Sequence, residues 1–281
     1  MTAHSATLRG LVIGDGSPYK FDREPEGLGV GRYSTARIER LWTDGTFVAG
    51  ADRLTAREVT FSVEAWDGRD FAGGGSAGVE TLLQALQAAW APVRVGTIPL
   101  TLNLAGTDRV LFGRPIAVDV DAEGLLYGFA RVRLVFEATD PRLFSEVQSS
   151  VVLGLAVGGG MTFPLTFPLT FGAGSDSDAA AVNAGTFETT WTATITGPVT
   201  TPRITLASTG QFVELDGTVP AGSSLVVSQA DGSVLLDGSP RQSWVTLPSR
   251  FFTLPPGSNT IRFRAASGTG SCTFSWRSAW L

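Results

Sequence analysis

The sequence predicts a mainly β protein of two domains, in which a sheet carrying one helix precedes an antiparallel β-sandwich. The length of 281 residues exceeds the usual size of a single domain. The 34 glycines and 15 prolines, together with frequent Val, Thr and Phe, favour strands joined by turns. The hydrophobic content of 43% is enough for a core in each domain and excludes a disordered chain.

The first domain is predicted to span residues 1–148. The segment "TLRGLVI", residues 7–13, predicts a first strand, and strict alternation predicts a second over Glu58–Trp66. A long hairpin is expected around Asp121–Gly124. Residues 17–57 are rich in turn formers, and a loop of that length inside a domain is more often functional than idle.

One helix is predicted at about residues 77–90. Apolar side chains recur there at helical spacing, with polar residues opposite. The apolar positions are Val79, Leu82, Leu83, Leu86 and Trp90. Ser76 is a plausible N-cap and Pro92 a stop signal.

The second domain is predicted to span residues 182–281. Short apolar strands follow one another at regular spacing, separated by turn signals that include three Asp-Gly pairs. Regular spacing without helices predicts an antiparallel β-sandwich. Residues 149–181 then form the junction between the two domains.

The junction contains a repeat, "TFPLTFPLTF", at residues 162–171. Its prolines lack an amide donor and favour an extended chain, so alternate side chains share one face. That face forms an apolar stripe, which we expect to be covered at a domain or subunit interface. The stripe consists of Phe163, Leu165, Phe167, Leu169 and Phe171.

Charge and residue usage argue against several functions. The formal net charge of −5 does not fit a protein that grips nucleic acid along a basic face. His4 is the only histidine and Cys272 the only cysteine, so triad catalysis and the usual zinc sites lack their residues. No catalytic, metal or cofactor residues are predicted, and no apolar stretch approaches the ~20 residues of a membrane span.

Several segments together resemble the distal tail protein of long-tailed bacteriophages, in its actinobacterial-phage form. They are "DFAGGGSAGVETLLQAL", "FEATDPRLFS", "TFPLTFPLTFG", "NAGTFETTWTATITGPVTTPRITLASTGQFVELDG", "FFTLPPGSNTIRFRA" and "TFSWRSAWL". The resemblance implies an N-terminal β-sandwich or split barrel with one helix, akin to tail-tube subunits, and a C-terminal galectin-like sandwich. It covers most of the chain and is weakest over residues 17–57.

The resemblance also implies a structural role. Distal tail proteins form a hexameric ring that joins the tail tube to the tail-tip hub, and the tape measure protein and DNA pass through its channel without specific binding. An extended arm commonly belts the neighbouring subunit, and residues 17–57 are the candidate by position. Carboxylates lining the channel would repel DNA, with Asp119, Asp121 and Glu123 as candidates. The location implied is the virion tail, after assembly in the host cytoplasm and without a membrane partner.

Two other functions stay open from the sequence. The galectin-like domain could recognise a host-surface saccharide through a tryptophan platform. A paired-carboxylate cell-wall hydrolase is the more distant alternative, because most aspartates lie in Asp-Gly turns where they bond local backbone.

Overall fold

The computed structural model of the protein describes residues 3–29, 33–66, 76–121, 123–155 and 178–281. The predicted mainly β class with one α-helix is confirmed. The chain divides into two compact units, Met1–Glu146 with Leu281, and Val147–Trp280. Within the described ranges, no helix has the length and apolar character needed to cross a bilayer.

The first unit consists of short and long strands around one helix. Its strands are β1 (Ala3–Leu8), β2 (Leu11–Gly14), β3 (Tyr19–Phe21), β4 (Tyr33–Ser34), β5 (Arg37–Glu39), β6 (Thr46–Val48), β7 (Arg53–Leu54), β8 (Arg57–Trp66), β9 (Ile98–Leu104), β10 (Thr107–Asp121), β11 (Phe129–Ala138) and β12 (Leu143–Ser145). The helix α1 spans Ser76–Ala89, and a 3₁₀ turn spans Leu125–Tyr127.

The main sheet of this unit is antiparallel and nearly closes into a barrel. Its strand order is β2-β1-β9-β10-β11-β8-β3, and β12 adds to β10. The edge strands β2 and β3 approach each other at Gly14, where a β-carbon would lie 2.9 Å from the Phe21 ring. The long hairpin predicted around Asp121–Gly124 is β10 and β11.

Helix α1 covers the interior of this curved sheet with the predicted apolar face. Val79 and Leu86 are fully buried, and the Trp90 ring meets Phe61 of β8 edge-on at 6.2 Å between centroids. The Tyr19 hydroxyl donates to the Leu82 carbonyl at 2.8 Å. The helix therefore has the position that its periodicity predicts.

The predicted first strand at residues 7–13 is wrong in one respect, because the structure splits it into β1 and β2. Arg9 and Gly10 both have positive φ, 49° and 82°, as a tight two-residue hairpin turn requires. The Arg9 guanidinium donates to the carbonyls of Ala88, Ala89 and Ala91 at 3.3, 3.3 and 3.0 Å. These bonds satisfy the C-terminal carbonyls of α1 with a cation.

The second unit is an antiparallel sandwich. Its strands are β13 (Ser149–Gly154), β14 (Asp178–Asn183), β15 (Trp191–Thr196), β16 (Val199–Thr200), β17 (Arg203–Leu206), β18 (Phe212–Glu214), β19 (Thr218–Val219), β20 (Ser224–Ser228), β21 (Val234–Leu236), β22 (Ser239–Pro240), β23 (Gly257–Arg264), β24 (Ser267–Gly268), β25 (Ser271–Trp276) and β26 (Ala279–Trp280).

Two sheets enclose the core of this unit. One has the order β13-β25-β15-β20-β21-β22 and the other the order β14-β23-β17-β18. Trp191 lies in the core between Phe252 and Phe274, with 5.0 Å between ring centroids on either side. Its indole nitrogen donates to the Phe252 carbonyl at 2.6 Å, so the one polar atom of this buried ring is satisfied.

Candidate assembly interfaces

Residues 33–54 form a β-structured arm on the first unit. Within the described ranges, strand β4 pairs only with β7, and β5 pairs only with β6, so the arm consists of two short two-stranded ribbons in succession. The sequence predicts this stretch as irregular. The structure differs because the strands of both ribbons are too short to produce a clear alternating pattern in the sequence. Two-stranded ribbons are marginally stable in water unless a third element supports them.

The arm carries apolar side chains that the described residues leave uncovered. No side chain between 33 and 54 is buried. Leu41 and Trp42 at its tip are 90% and 93% exposed. The exposed large apolar residues of the arm are Tyr33, Ile38, Leu41, Trp42, Phe47 and Val48. Monomeric proteins rarely present such a continuous set, which marks interaction surfaces.

Local contacts give the arm a defined shape. The Thr35 hydroxyl donates to the Asp52 carboxylate at 2.6 Å near its base. Nearer the tip, Ile38 pairs with Phe47 across the ribbon, and the Arg40 guanidinium lies 4.5 Å from the centre of the Phe47 ring. The arm thus presents Ile38 and Phe47 side by side on one ribbon face.

A buried arginine lies where the arm returns to the barrel. Arg57, the first residue of β8, is 3% exposed, and its three guanidinium nitrogens have no hydrogen-bond partner within the described residues. The residues beside it in the sheet, Ala138 and then Gly113, are small. Burial lowers the pKa of Arg57, and the Asp140 carboxylate opposes that shift.

Two of the three predicted channel residues, Asp119 and Asp121, lie on one exposed face of the β10–β11 hairpin. Asp119 and Asp121 are cross-strand partners of Arg133 and Arg131, and Glu123 follows on the loop. The Asp119 carboxylate lies 4.0 Å from the Arg133 guanidinium, while Arg131 lies 3.8 Å from Glu64 of β8. The carboxylates therefore alternate with cations, so the surface is less acidic than the three residues alone indicate.

The tryptophan platform predicted as the saccharide site has little support in the second unit. Trp191 and Trp276 are buried there, while Trp244 and Trp280 are half-buried. The most exposed tryptophans of the described chain, Trp42 and Trp66, belong to the first unit. A stacking platform on the sandwich therefore lacks an exposed tryptophan.

The apolar stripe Phe163, Leu165, Phe167, Leu169 and Phe171 lies outside the described residues, so its role as an interface stays a prediction. Among the described residues, no group of three or more His, Cys, Asp or Glu side chains could hold a metal ion. His4 is exposed near the chain start, 3.9 Å from the Asp15 carboxylate.

The position of residues 17–57 predicts an arm, but it does not indicate which side chains make the arm a surface. The available signal was "RLWTDGTFV" at residues 40–48, where apolar residues flank an Asp-Gly turn inside a stretch of turn formers. The burial of Arg57 was not predicted either, because the sequence pattern of an alternating strand does not distinguish a buried arginine at its first position from a solvent-exposed one.

The second unit matches a known family of phage proteins. Residues 184–280 match the family model described as siphovirus-type tail component, C-terminal domain. No curated protein matches the chain in sequence. Residues 184–280 of the second unit are therefore similar to the C-terminal domain of siphovirus-type tail components.

The whole chain also has the fold of solved phage proteins. One is the crystal structure of the Dit (gp 19.1) protein of phage SPP1, which is described as a paradigm of the hub adsorption apparatus in phages that infect Gram-positive bacteria. Its TM-score is 0.66 at 17% identity, and the match covers 99% of both chains. A chain of the activated phage P2 baseplate with calcium has a TM-score of 0.53 at 10% identity, over 99% of this chain and 98% of that one. The corresponding strontium structure has 0.51 at 10% identity, over 98% and 97%. The resemblance to distal tail proteins is thereby confirmed.

Proposed function

We propose that this chain is a structural component of a phage tail that assembles into a closed ring, with six copies, between the tail tube and the tail-tip hub. The family of its second unit and the fold of the whole chain support a tail component. The observation that supports a ring is the exposed arm, residues 33–54. Its apolar side chains would be buried by contact with another molecule.

A second copy of the chain is the occupant that best explains the arm. An arm that reaches to a different surface on the next copy makes a heterologous contact, and heterologous contacts close into rings when the rotation permits. The six side chains are 58–93% exposed, so covering them would contribute at most about 1.5–3 kcal/mol each, against a cost of about 4–15 kcal/mol for the freedom lost on association. The arm itself would gain the supporting element that its two-stranded ribbons lack.

The channel of such a ring has to let DNA pass. We assign the hairpin face with Asp119, Asp121 and Glu123 to the channel wall. Because Arg131 and Arg133 alternate with these carboxylates, the wall would present DNA with a nearly balanced field. DNA would then slide without the many cation–phosphate contacts that produce tight binding.

The partners of the proposed ring would be the tube protein on one side and the hub protein on the other. The ring would lie in the virion tail after assembly in the host cytoplasm.

The experiment is to measure the mass of the purified chain and to image it by negative stain. We expect a species of six copies with a central hole, in equilibrium with monomer at low concentration. A variant in which residues 35–52 are replaced by Gly-Gly should remain monomeric and keep the melting temperature of the rest of the chain. A monomer at all concentrations, or a ring that persists without the arm, would contradict the proposal.

A further inference from the structure

Strand β10 has an unpaired side in the second half of its length. On one side, β9 pairs with residues 107–113, and its first residue, Ile98, lies opposite Gly113. On the other side, β11 pairs with residues 113–121. Within the described ranges, no strand pairing or other backbone hydrogen bond is made on the first side after Gly113. We call residues 117–121 on that side the open edge.

The open edge is a template for a further strand. Alternate residues of a β-strand direct their amide and carbonyl groups to opposite sides, so part of the open edge directs these groups away from β11. Proteins commonly blunt such an edge with a proline or a bulge. Here both occur just before the open edge, at Pro115 and between Pro115 and Ala117, and the open edge itself contains neither.

The β5–β6 ribbon of the arm has the complementary need. In the described part of the chain, each of its strands pairs only with the other, so both outer edges are unpaired. The two ends of the main sheet offer less, because β2 and β3 approach each other near Gly14. Adding the ribbon edge-on to β10 would supply its third strand and would pair the open edge.

One face of the ribbon matches the apolar face of the open edge. Val118 and Val120 lie on the same face of β10, and their cross-strand partners in β11 are buried. Val120 itself is 37% exposed. In the ribbon, Ile38 and Phe47 are cross-strand partners on one exposed face. Edge-on addition would bring the two apolar pairs side by side, where each would cover part of the other.

The opposite faces match in charge. Asp119 and Asp121 lie on the other face of β10, and Asp121 forms no salt bridge among the described residues. Arg37 lies on the ribbon face opposite to Ile38 and likewise has no salt bridge within the described ranges. Glu39 shares that ribbon face, so the added ribbon would continue the alternation of carboxylates and cations on the hairpin.

We propose that the open edge of β10 binds the β5–β6 ribbon of a second copy of the chain as an added strand. The inference rests on the ring proposed above and names the surface that receives the arm. From residue 33 to its tip the arm is about 30 Å long when extended, which is enough to reach a neighbouring copy. Ribbon and edge are different surfaces, as a contact that closes into a ring requires. The face with Asp119 and Asp121 stays open to the channel, because the ribbon joins the sheet at its edge.

The test mixes two cysteine variants in the presence of a short bismaleimide. Thr46→Cys labels the ribbon and Val120→Cys labels the open edge, while the natural Cys272 is buried and should stay unlabelled. We expect a cross-linked pair of chains from the mixture and none from either variant alone. Val12→Cys, a valine of similar exposure (41%) on β2, takes the place of Val120→Cys in the control mixture and should give no product.

Hydrogen exchange measures the added strand itself. A backbone hydrogen bond protects an amide, so amides of residues 117–121 that point away from β11 should exchange at least about tenfold more slowly in the assembled protein than in the dilute monomer. In the variant Ile38→Ser, Phe47→Ser, measured at a concentration where only the original chain is assembled, this protection should be lost.

The mass of the mixture, measured in parallel, separates failure of this inference from failure of the ring. Assembly without the cross-link and without protection of residues 117–121 would overturn the inference and leave the ring standing. Protection without the cross-link would assign the open edge to another strand of the neighbouring copy, which also overturns it. Equal yield with Val12→Cys would show that the cross-link reports random collision. A chain that stays monomeric at every concentration would contradict the ring and this inference together.

Discussion

Ile38 and Phe47 face each other across the outer ribbon of the arm, and each is more than half exposed, 59% and 58%. In a two-sided sheet, such a cross-strand apolar pair would normally be buried by a second layer. Here the chain supplies no second layer among its described residues, although Arg40 extends over the Phe47 ring. Substitution of this pair therefore tests directly which molecule covers the arm.

Replacing this pair should weaken self-association without affecting the fold of the unit. The double variant Ile38→Ser, Phe47→Ser removes apolar area that only a partner covers, so we expect the dissociation constant of the assembly to rise at least about tenfold. At a concentration where the original chain is monomeric, the melting temperature should not change, because both side chains are exposed. Sedimentation equilibrium across a range of concentrations gives the constant.

Leu247→Ser is the control for this prediction. Leu247 is 96% exposed but lies in the second unit. Its turn is held independently by the Ser249 hydroxyl, which lies 2.9 Å from that of Thr246. Equal loss of assembly in both variants would indicate a general effect of surface hydrophobicity and would contradict a specific role for the arm.

The features that local patterns encode were predictable from the sequence. The spacing of Val79 and Leu86 gave the helix its buried face, and alternation over Glu58–Trp66 matches β8 apart from its first residue. The turn at Arg9-Gly10 was missed because Arg seldom adopts a positive φ. A contact distant in sequence, from Arg9 to the end of α1, supports that conformation, and short-range patterns contain no trace of it.

The candidate surfaces were less predictable than the fold. Position and turn formers suggested the arm, but the exposure of Trp42 depends on what the rest of the chain leaves uncovered.

Arg57 gives a prediction about stability. The Arg57 guanidinium is buried without a hydrogen-bond partner among the described residues, and leaving a buried polar group unsatisfied costs about 1–3 kcal/mol, which an apolar side chain avoids. We expect Arg57→Met to raise the free energy of unfolding in urea by an amount in this range. Asp140 should tolerate the change, because it keeps the Arg142 guanidinium at 2.9 Å.

The matched variant Arg57→Ala separates charge from packing. It removes the same charge together with the aliphatic stem, which leaves a cavity, so we expect it to be less stable than Arg57→Met. A destabilised Arg57→Met would show that the guanidinium has a partner that supports the fold.

The TFPL repeat gives a prediction about assembly. If its apolar stripe lies in an interface, the double variant Phe163→Ala, Phe167→Ala should lose ring assembly or domain docking. The pair Thr162→Ala, Thr166→Ala changes the other side of the segment in the extended conformation that the sequence predicts, and should behave like the original chain. Unchanged mass and melting behaviour in the phenylalanine variant would refute the interface role.

Cys272 gives a prediction about pH. It is completely buried in the core of the second unit, and burial raises the pKa of its thiol from 9.0 to about 12. Because the folded pKa is above the unfolded one, the stability from the neutral thiol is complete below about pH 9 and is lost as the pH rises toward 12. Above pH 9 this group should lower the free energy of unfolding by up to about 1.4 kcal/mol per pH unit.

Cys272→Ala isolates that contribution from the other groups that titrate at high pH. Urea unfolding of the second unit at pH 8, 9 and 10 should show the original chain losing stability faster than the alanine variant above pH 9, while the two remain parallel below it. The alanine variant should be less stable at every pH in this range, because a small cavity replaces the sulfur. Parallel curves up to pH 10 would mean that the thiol reaches water in the folded protein, in which case thiol reagents at pH 8 should also label it without denaturant.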